Sequence, residues 1–185
     1  MKKFKSLIAR FFLRVLGWKL EGKGPDLDQY IVLAAPHTTN WDFLYIILVS
    51  WAHGLKFHWC GKKELFIFPF GSFLEWMGGV PIERSQAKGQ VDQLADRFEA
   101  NPEYILLIPP EGTRKRVEKF KTGFYHISLR ARVPLVLGYL DYKKKVAGLG
   151  PVFKPTGDYE ADLKKIYDFY RNVSPKYAEN FYCPE

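Results

Sequence analysis

The chain holds 185 residues, 47% of them hydrophobic and 26% charged, about the length of one domain and a globular balance that argues against a disordered or fibrous chain. Two cysteines, Cys60 and Cys183, are too few for a disulfide scaffold and fit a reducing compartment. A net charge of +8 with 17% aromatic residues points to a partner that is both anionic and apolar, either a membrane surface or single-stranded nucleic acid.

Residues 1–23 carry seven Lys or Arg against one acid, Glu21. Phe4, Leu7, Ile8, Phe11, Phe12, Val15, Leu16 and Trp18 recur at the spacing of one helical face. Lys2, Lys3, Lys5, Arg10, Arg14 and Lys19 take the other, which predicts a basic amphipathic helix within residues 1–22. A membrane span would put Arg10 and Arg14 near mid-bilayer at about 2.5–3.5 kcal/mol each. A secretory signal fits poorly, because bases interrupt the apolar run and no small-residue cleavage site follows. The expectation is a helix lying in the membrane interface; the alternative is a surface helix packed on the domain formed by residues 23–185.

Gly22 to Asp28 reads as a loop and Tyr30 to Pro36 as a buried strand. Trp41 to Ala52 is long and apolar enough for a helix, ending near Gly54, and Leu55 to Cys60 reads as a second strand. Leu65 to Met77 is aromatic and irregular, broken by Pro69 and Gly71, and leads to a short strand, Val80 to Glu83. Ala87 to Ala100 is an amphipathic helix stopped by Asn101-Pro102. Tyr104 to Pro109 is a strand and Gly123 to Arg132 a helix, followed by strands over Pro134 to Tyr142 and Val146 to Phe153. Asp158 is placed to cap a last helix running to about Asn172. This alternation predicts a single-domain α/β layered fold around a mostly parallel sheet flanked by helices.

Three short stretches carry chemistry. In Pro36-His37-Thr38-Thr39-Asn40-Trp41-Asp42 the His and Asp are five apart, and a continuous helix would turn them about 140° from each other. They can meet if His37 lies in the loop and Asp42 in the first helical turn, with Thr38, Thr39 and Asn40 as capping side chains. An Asp bonded to one imidazole nitrogen leaves the other free to take a proton. In Pro110-Glu111-Gly112-Thr113-Arg114, Gly112 permits close backbone approach to an anion, Thr113 offers a hydroxyl and Arg114 a bidentate fork for phosphate. Gly79 to Arg84 is a strand ending in another Arg, and Lys121 with Gly123 adds a further anion contact at a helix start. Taken singly, each stretch also fits a plain reading as a cap, a solvated turn or a strand-end ion pair.

In order and spacing the blocks resemble the glycerolipid (lysophospholipid) acyltransferase superfamily of the bacterial 1-acylglycerol-3-phosphate acyltransferase type. His37 to Asp42 matches its H-x4-D motif, Gly79 to Arg84 its second block, Pro110 to Arg114 its E-G-T-R block and Val133-Pro134-Leu135 its fourth. The resemblance covers roughly Tyr30 to Asp141. It implies acyl transfer from acyl-CoA or acyl carrier protein to the free hydroxyl of a lysophospholipid, foremost 1-acylglycerol-3-phosphate, giving phosphatidic acid. His37 and Asp42 would be catalytic, the His as general base. Arg84, Glu111, Gly112, Thr113, Arg114 and Lys121 would bind substrate, with no metal and no cofactor beyond the thioester co-substrate. The implied place is the cytoplasmic face of the membrane, as a peripheral or monotopic protein.

The sequence agrees in lacking a metal set: His53, His58 and Cys60 are near one another without a fourth ligand. The bases concentrate in the N-terminal helix and in Arg114 to Arg132 rather than interleaving with aromatics, which argues against nucleic acid. Residues 41–82 hold four of the five Trp and 11 aromatics, expected to form an apolar groove for the acyl chain or to pack the core. An amino-acid-containing or other lysolipid is the alternative acceptor. A non-enzymatic peripheral membrane protein is the alternative of another class.

Overall fold

The computed structural model describes residues 2–82 and 87–184. In chain order the elements are α1 (Lys2–Val15), β1 (Lys19–Glu21), β2 (Gln29–Ala34), α2 (Trp41–His53), β3 (Phe57–Lys62), α3 (Gly71–Trp76), β4 (Gly79–Ile82), α4 (Ala87–Ala100), β5 (Tyr104–Ile108), α5 (Gly123–Ala131), β6 (Leu135–Asp141), β7 (Val146–Phe153) and α6 (Tyr159–Tyr170). The described strands form one seven-stranded sheet in the order β1-β7-β6-β2-β5-β3-β4. Neighbours pair parallel except β6 with β7, so the α/β class with a mostly parallel sheet holds.

Side-chain alternation along β2 divides the core in two. Ile31, Leu33 and Ala35 join Leu94 and Phe98 of α4, Phe124 and Ile127 of α5 and Ile166 and Tyr170 of α6 on one face. Tyr30, Val32 and Ala34 face the other way, with Ile46 of α2 packed against them. Burial on both faces explains why β2, β5 and β6 read as continuous apolar runs. Tyr170 ties the layers together near the site, its hydroxyl donating toward Leu33 O (2.9 Å) and Gly138 O (3.2 Å). As expected, Asp158 caps α6, its side chain accepting from the Ala161 N–H at 3.1 Å.

Two expectations change. The segment expected as one helical unit over residues 1–22 divides: α1 ends at Val15, and Gly17, at φ +77°, turns the chain. The Trp18 N–H reaches back to Leu13 O at 2.8 Å, a glycine-terminated helix end. Trp18 therefore leaves the helical face and packs on the rings of Tyr45 (4.5 Å) and Tyr142 (5.0 Å). Lys19–Glu21 then joins the sheet beside β7. The second change is α3, found where only irregular chain was expected. Pro69 sits in a turn just before it, where a missing N–H costs nothing, and the Gly71 N–H bonds Ile67 O at 2.8 Å.

Helix α1 lies on α2. Ala9 and Leu13 are buried against Leu48, Val49 and Ala52. The Ser6 hydroxyl and the Arg10 guanidinium both donate to Ala52 O, at 3.0 and 2.9 Å. Phe4, Leu7, Phe11, Phe12, Val15 and Leu16 remain exposed.

Candidate active site

The site sits at the carboxyl ends of β5, β2 and β6, where open α/β sheets bind their ligands. After β2, Pro36 has no N–H to continue the ladder, and His37 falls in the connection to α2. Asp42 occupies the first turn of α2 and is 1% exposed. The two side chains meet, His37 Nδ1 lying 3.1 Å from Asp42 Oδ2. A carboxylate only accepts, so Nδ1 carries a proton, and in the neutral ring Nε2 keeps its lone pair. The His37 side chain is 16% exposed, enough for a ligand to reach it.

Asp42 is held by more than the histidine. Its Oδ2 also accepts from the Thr38 and Thr39 N–H groups at 2.9 and 3.0 Å. Its Oδ1 accepts from the Tyr142 hydroxyl at 2.6 Å. Thr39 acts as a cap, its hydroxyl accepting from the Trp41 N–H at 3.3 Å, whereas Asn40 makes no side-chain cap bond. Tyr142 lies in the turn after β6, 100 residues from Asp42 in sequence, and carried no motif signal.

Glu111 follows β5 and is 2% exposed. Its Oε1 accepts from the His37 backbone N–H at 3.0 Å, and Oε2 has no partner among the described residues. Burial pushes its carboxyl up to about 7, with the nearby Asp42 charge adding and the His37 N–H bond opposing. Glu111 thus turns inward against the histidine loop, its carboxylate sealed from solvent.

Gly112, Thr113 and Arg114 form the turn beyond it, with Gly112 at φ +64°. The Thr113 hydroxyl accepts from the Lys115 N–H at 3.3 Å, and Arg114 is exposed. Lys121 returns to this turn: its N–H donates to Pro110 O at 2.9 Å, and a Cβ on Gly112 would stand 2.8 Å from its Nζ. Arg84 lies outside the described residues. The fourth block, Val133 to Leu135, begins β6 at the other end of the sheet, where Pro134 O accepts from the Ile31 N–H at 3.0 Å.

Beneath His37 and Asp42 a narrow apolar cavity of about 30 Å³ runs between α2 and the sheet, past Val32, Ile46, Phe57, Leu107 and Leu149. That is room for one or two water molecules, not an acyl chain. Phe68, Phe70 and Phe73 are at the surface rather than in the core. Among the described residues no cluster of three or more His, Cys, Asp or Glu could hold a metal ion.

Comparison with known proteins identifies the family. The profile of the Acyltransferase family matches residues 21–137, which include every site residue named above except Tyr142. The 1-acyl-sn-glycerol-3-phosphate acyltransferase of Haemophilus influenzae is 30% identical over 144 residues, covering 71% of this chain and 58% of the relative. That of Escherichia coli is 29% identical over 132 residues, covering 66% and 52%. The chain thus spans about half the length of these curated relatives. The crystal structure of the 1-acyl-sn-glycerophosphate (LPA) acyltransferase from Thermotoga maritima matches 94% of this chain and 81% of its own with a TM-score of 0.60. At 16% identity it speaks for the fold. With more than half of the sequence inside the matched profile and the His-Asp pair formed within it, the chain belongs to the glycerolipid acyltransferase family.

Proposed function

We propose that the protein transfers a fatty acyl group from a thioester, acyl-CoA or acyl carrier protein, to the free hydroxyl of 1-acylglycerol-3-phosphate, yielding phosphatidic acid. The observation that carries this reading is the His37–Asp42 pair, its Nε2 free and accessible at the carboxyl ends of the sheet. His37 Nε2 takes the proton of the acceptor hydroxyl as its oxygen attacks the thioester carbonyl. A C–O bond forms, the C–S bond breaks, and the proton passes to the departing thiolate. Asp42 stabilises the imidazolium in between, and base catalysis of this kind contributes about 10²–10⁴ in rate.

Glu111 and Tyr142 act as positioning residues, one on the His37 backbone and one on Asp42. Arg114 and Lys121, with Arg84, bind the acceptor phosphate, and Gly112 and Thr113 shape the turn around it. The reaction calls on no metal or cofactor beyond the thioester. Holding hydroxyl and thioester together supplies much of the remaining acceleration.

The protein works as a peripheral protein on the cytoplasmic face of an anionic membrane, where such thioesters are found, and not on nucleic acid. In support, no described helix is long and apolar enough to cross a membrane, and α1 exposes an apolar stripe beside Lys3, Arg10 and Arg14. The test presents purified protein with vesicles containing lysophosphatidic acid, other lysophospholipids or an amino-acid-containing lysolipid, with each donor in turn. Phosphatidic acid as the main product supports the reading; preference for another acceptor replaces the substrate, and inertness with all of them ends it.

A further inference from the structure

Of the eighteen large hydrophobic residues that the described chain leaves exposed, fourteen lie in three places: α1 with the following Leu16, the first turn of α2, and residues 65–76. The third place is not explained by the proposed interfacial helix. Leu65, Ile67, Phe68, Phe70, Phe73 and Trp76 are all exposed, Phe68 to 95%. Single exposed apolar residues are ordinary, but six within twelve positions are not.

Their exposure is built in. Within Leu65-Phe66-Ile67-Phe68 only Phe66 turns inward, and its ring lies over two backbone positions where only glycine fits. A Cβ at Gly61 or Gly79 would stand 2.7 Å from ring carbons of Phe66. Phe66 also neighbours Trp59, at 6.1 Å between ring centroids, and Trp59 meets Phe43 of α2 at 4.8 Å. One aromatic thus pins the segment to the α2 side of the sheet and leaves its neighbours facing out.

The segment joins α1. Lys5 Nζ lies 4.2 Å from the Trp76 ring centroid and 5.0 Å from that of Trp51, and Trp76 stacks on Phe73 at 5.9 Å. Two apolar surfaces therefore meet through one cation. Trp41 and Leu44, on either side of the buried Asp42, are exposed on the helix between them.

We infer that residues 65–76 form a second membrane-inserting element, which with α1 and the start of α2 makes one footprint on the acyl-chain layer of an anionic bilayer leaflet. This rests on the membrane association proposed above and adds an anchor to it. Charge selects this occupant. Residues 2–19 carry six bases and no acid, which an anionic leaflet neutralises, whereas a second copy of the chain would set that charge against itself. Tryptophans and lysines at the margin suit the headgroup layer, and the phenylalanines suit the layer beneath. The footprint brings the leaflet to Trp41, one residue from Asp42, where a single-chain lipid could present its free glycerol hydroxyl to His37.

The test floats the full-length protein with vesicles of phosphatidylcholine alone or mixed with phosphatidylglycerol. It compares wild type, a Phe68→Ser/Phe70→Ser/Phe73→Ser variant and a Leu7→Ser/Phe11→Ser variant. Each substitution lies at an exposed position, and circular dichroism verifies folding. Both variants should lose about tenfold or more in partition to the anionic vesicles, with acylation of a detergent-dispersed substrate unchanged in the phenylalanine variant. If that variant binds as wild type while the α1 variant is released, the second anchor is refuted and the interfacial helix stands. If wild type floats with neither vesicle, the membrane reading fails with it. A wild-type dimer by light scattering that the phenylalanine variant dissociates would give the patch to a second copy and overturn the proposal.

Discussion

Asp42 spends both carboxylate oxygens on four donors, and only one of the four is the histidine it serves. The others fix the direction of the carboxylate, so His37 meets an acceptor already in place. Tyr142→Phe removes one donor and keeps the ring packed on Trp18 and Tyr45. The carboxylate that orients the imidazole is then less firmly fixed, so kcat should fall while KM for the acceptor stays near the wild-type value; a kcat identical to wild type would deny Tyr142 this role.

Glu111 gives a second test at this scale. Its carboxyl is raised from an ordinary 4.5 to about 7, so the folded protein holds this proton across a range in which the unfolded chain has released it. The contribution to stability is complete below about 4.5 and is lost as pH rises through about 7. Glu111→Gln should gain stability relative to wild type over that window, on the order of 2–3 kcal/mol at its upper end. Urea melts at several pH values measure this difference, and a constant difference would contradict the assignment. Meeting of His37 and Asp42 was legible from their spacing and the capping residues around them. The inward turn of Glu111 was not, because a loop glutamate reads as solvated until the fold closes over it.

Among elements, α1 was legible as an amphipathic helix, but its packing was not. The stripe that dominates the pattern, Phe4, Leu7, Phe11 and Val15, faces outward, and the face on α2 is built from Ser6, Ala9, Arg10 and Leu13. A face of small and polar residues has little hydrophobic signal, yet it lets two helices approach closely. Leu13→Ala should cost about 2–5 kcal/mol in chemical denaturation, and Phe11→Ser should be close to neutral; the reverse ranking would place the stripe inside. The turn at Gly17 and the helix α3 escaped notice for related reasons. Trp18 continues the apolar periodicity past the true helix end, and Pro69 reads as a breaker although it falls where a first turn tolerates it.

At the scale of the whole molecule, the fold class followed from alternating strands and helices, but the order of the strands did not. β1 is three residues long and pairs with a strand more than a hundred residues away. Tyr142 reaches Asp42 by the same kind of distant closure. Such contacts depend on the assembled sheet, and no local pattern announces them. The sheet aligns the ends of β5, β2 and β6, so that Glu111, His37 and the turn bearing Tyr142 converge from three separate connections. On the opposite side of α2 from the sheet lies α1, with its exposed stripe.

The central claim is that this convergence makes His37 a base acting on a lysolipid hydroxyl. Its most direct test is the initial rate of phosphatidic acid formation by wild type and His37→Ala on vesicles carrying lysophosphatidic acid and a thioester donor, with folding matched by circular dichroism. The account predicts turnover by wild type and a loss of about 10²-fold or more in the variant. Undiminished turnover by His37→Ala would contradict it.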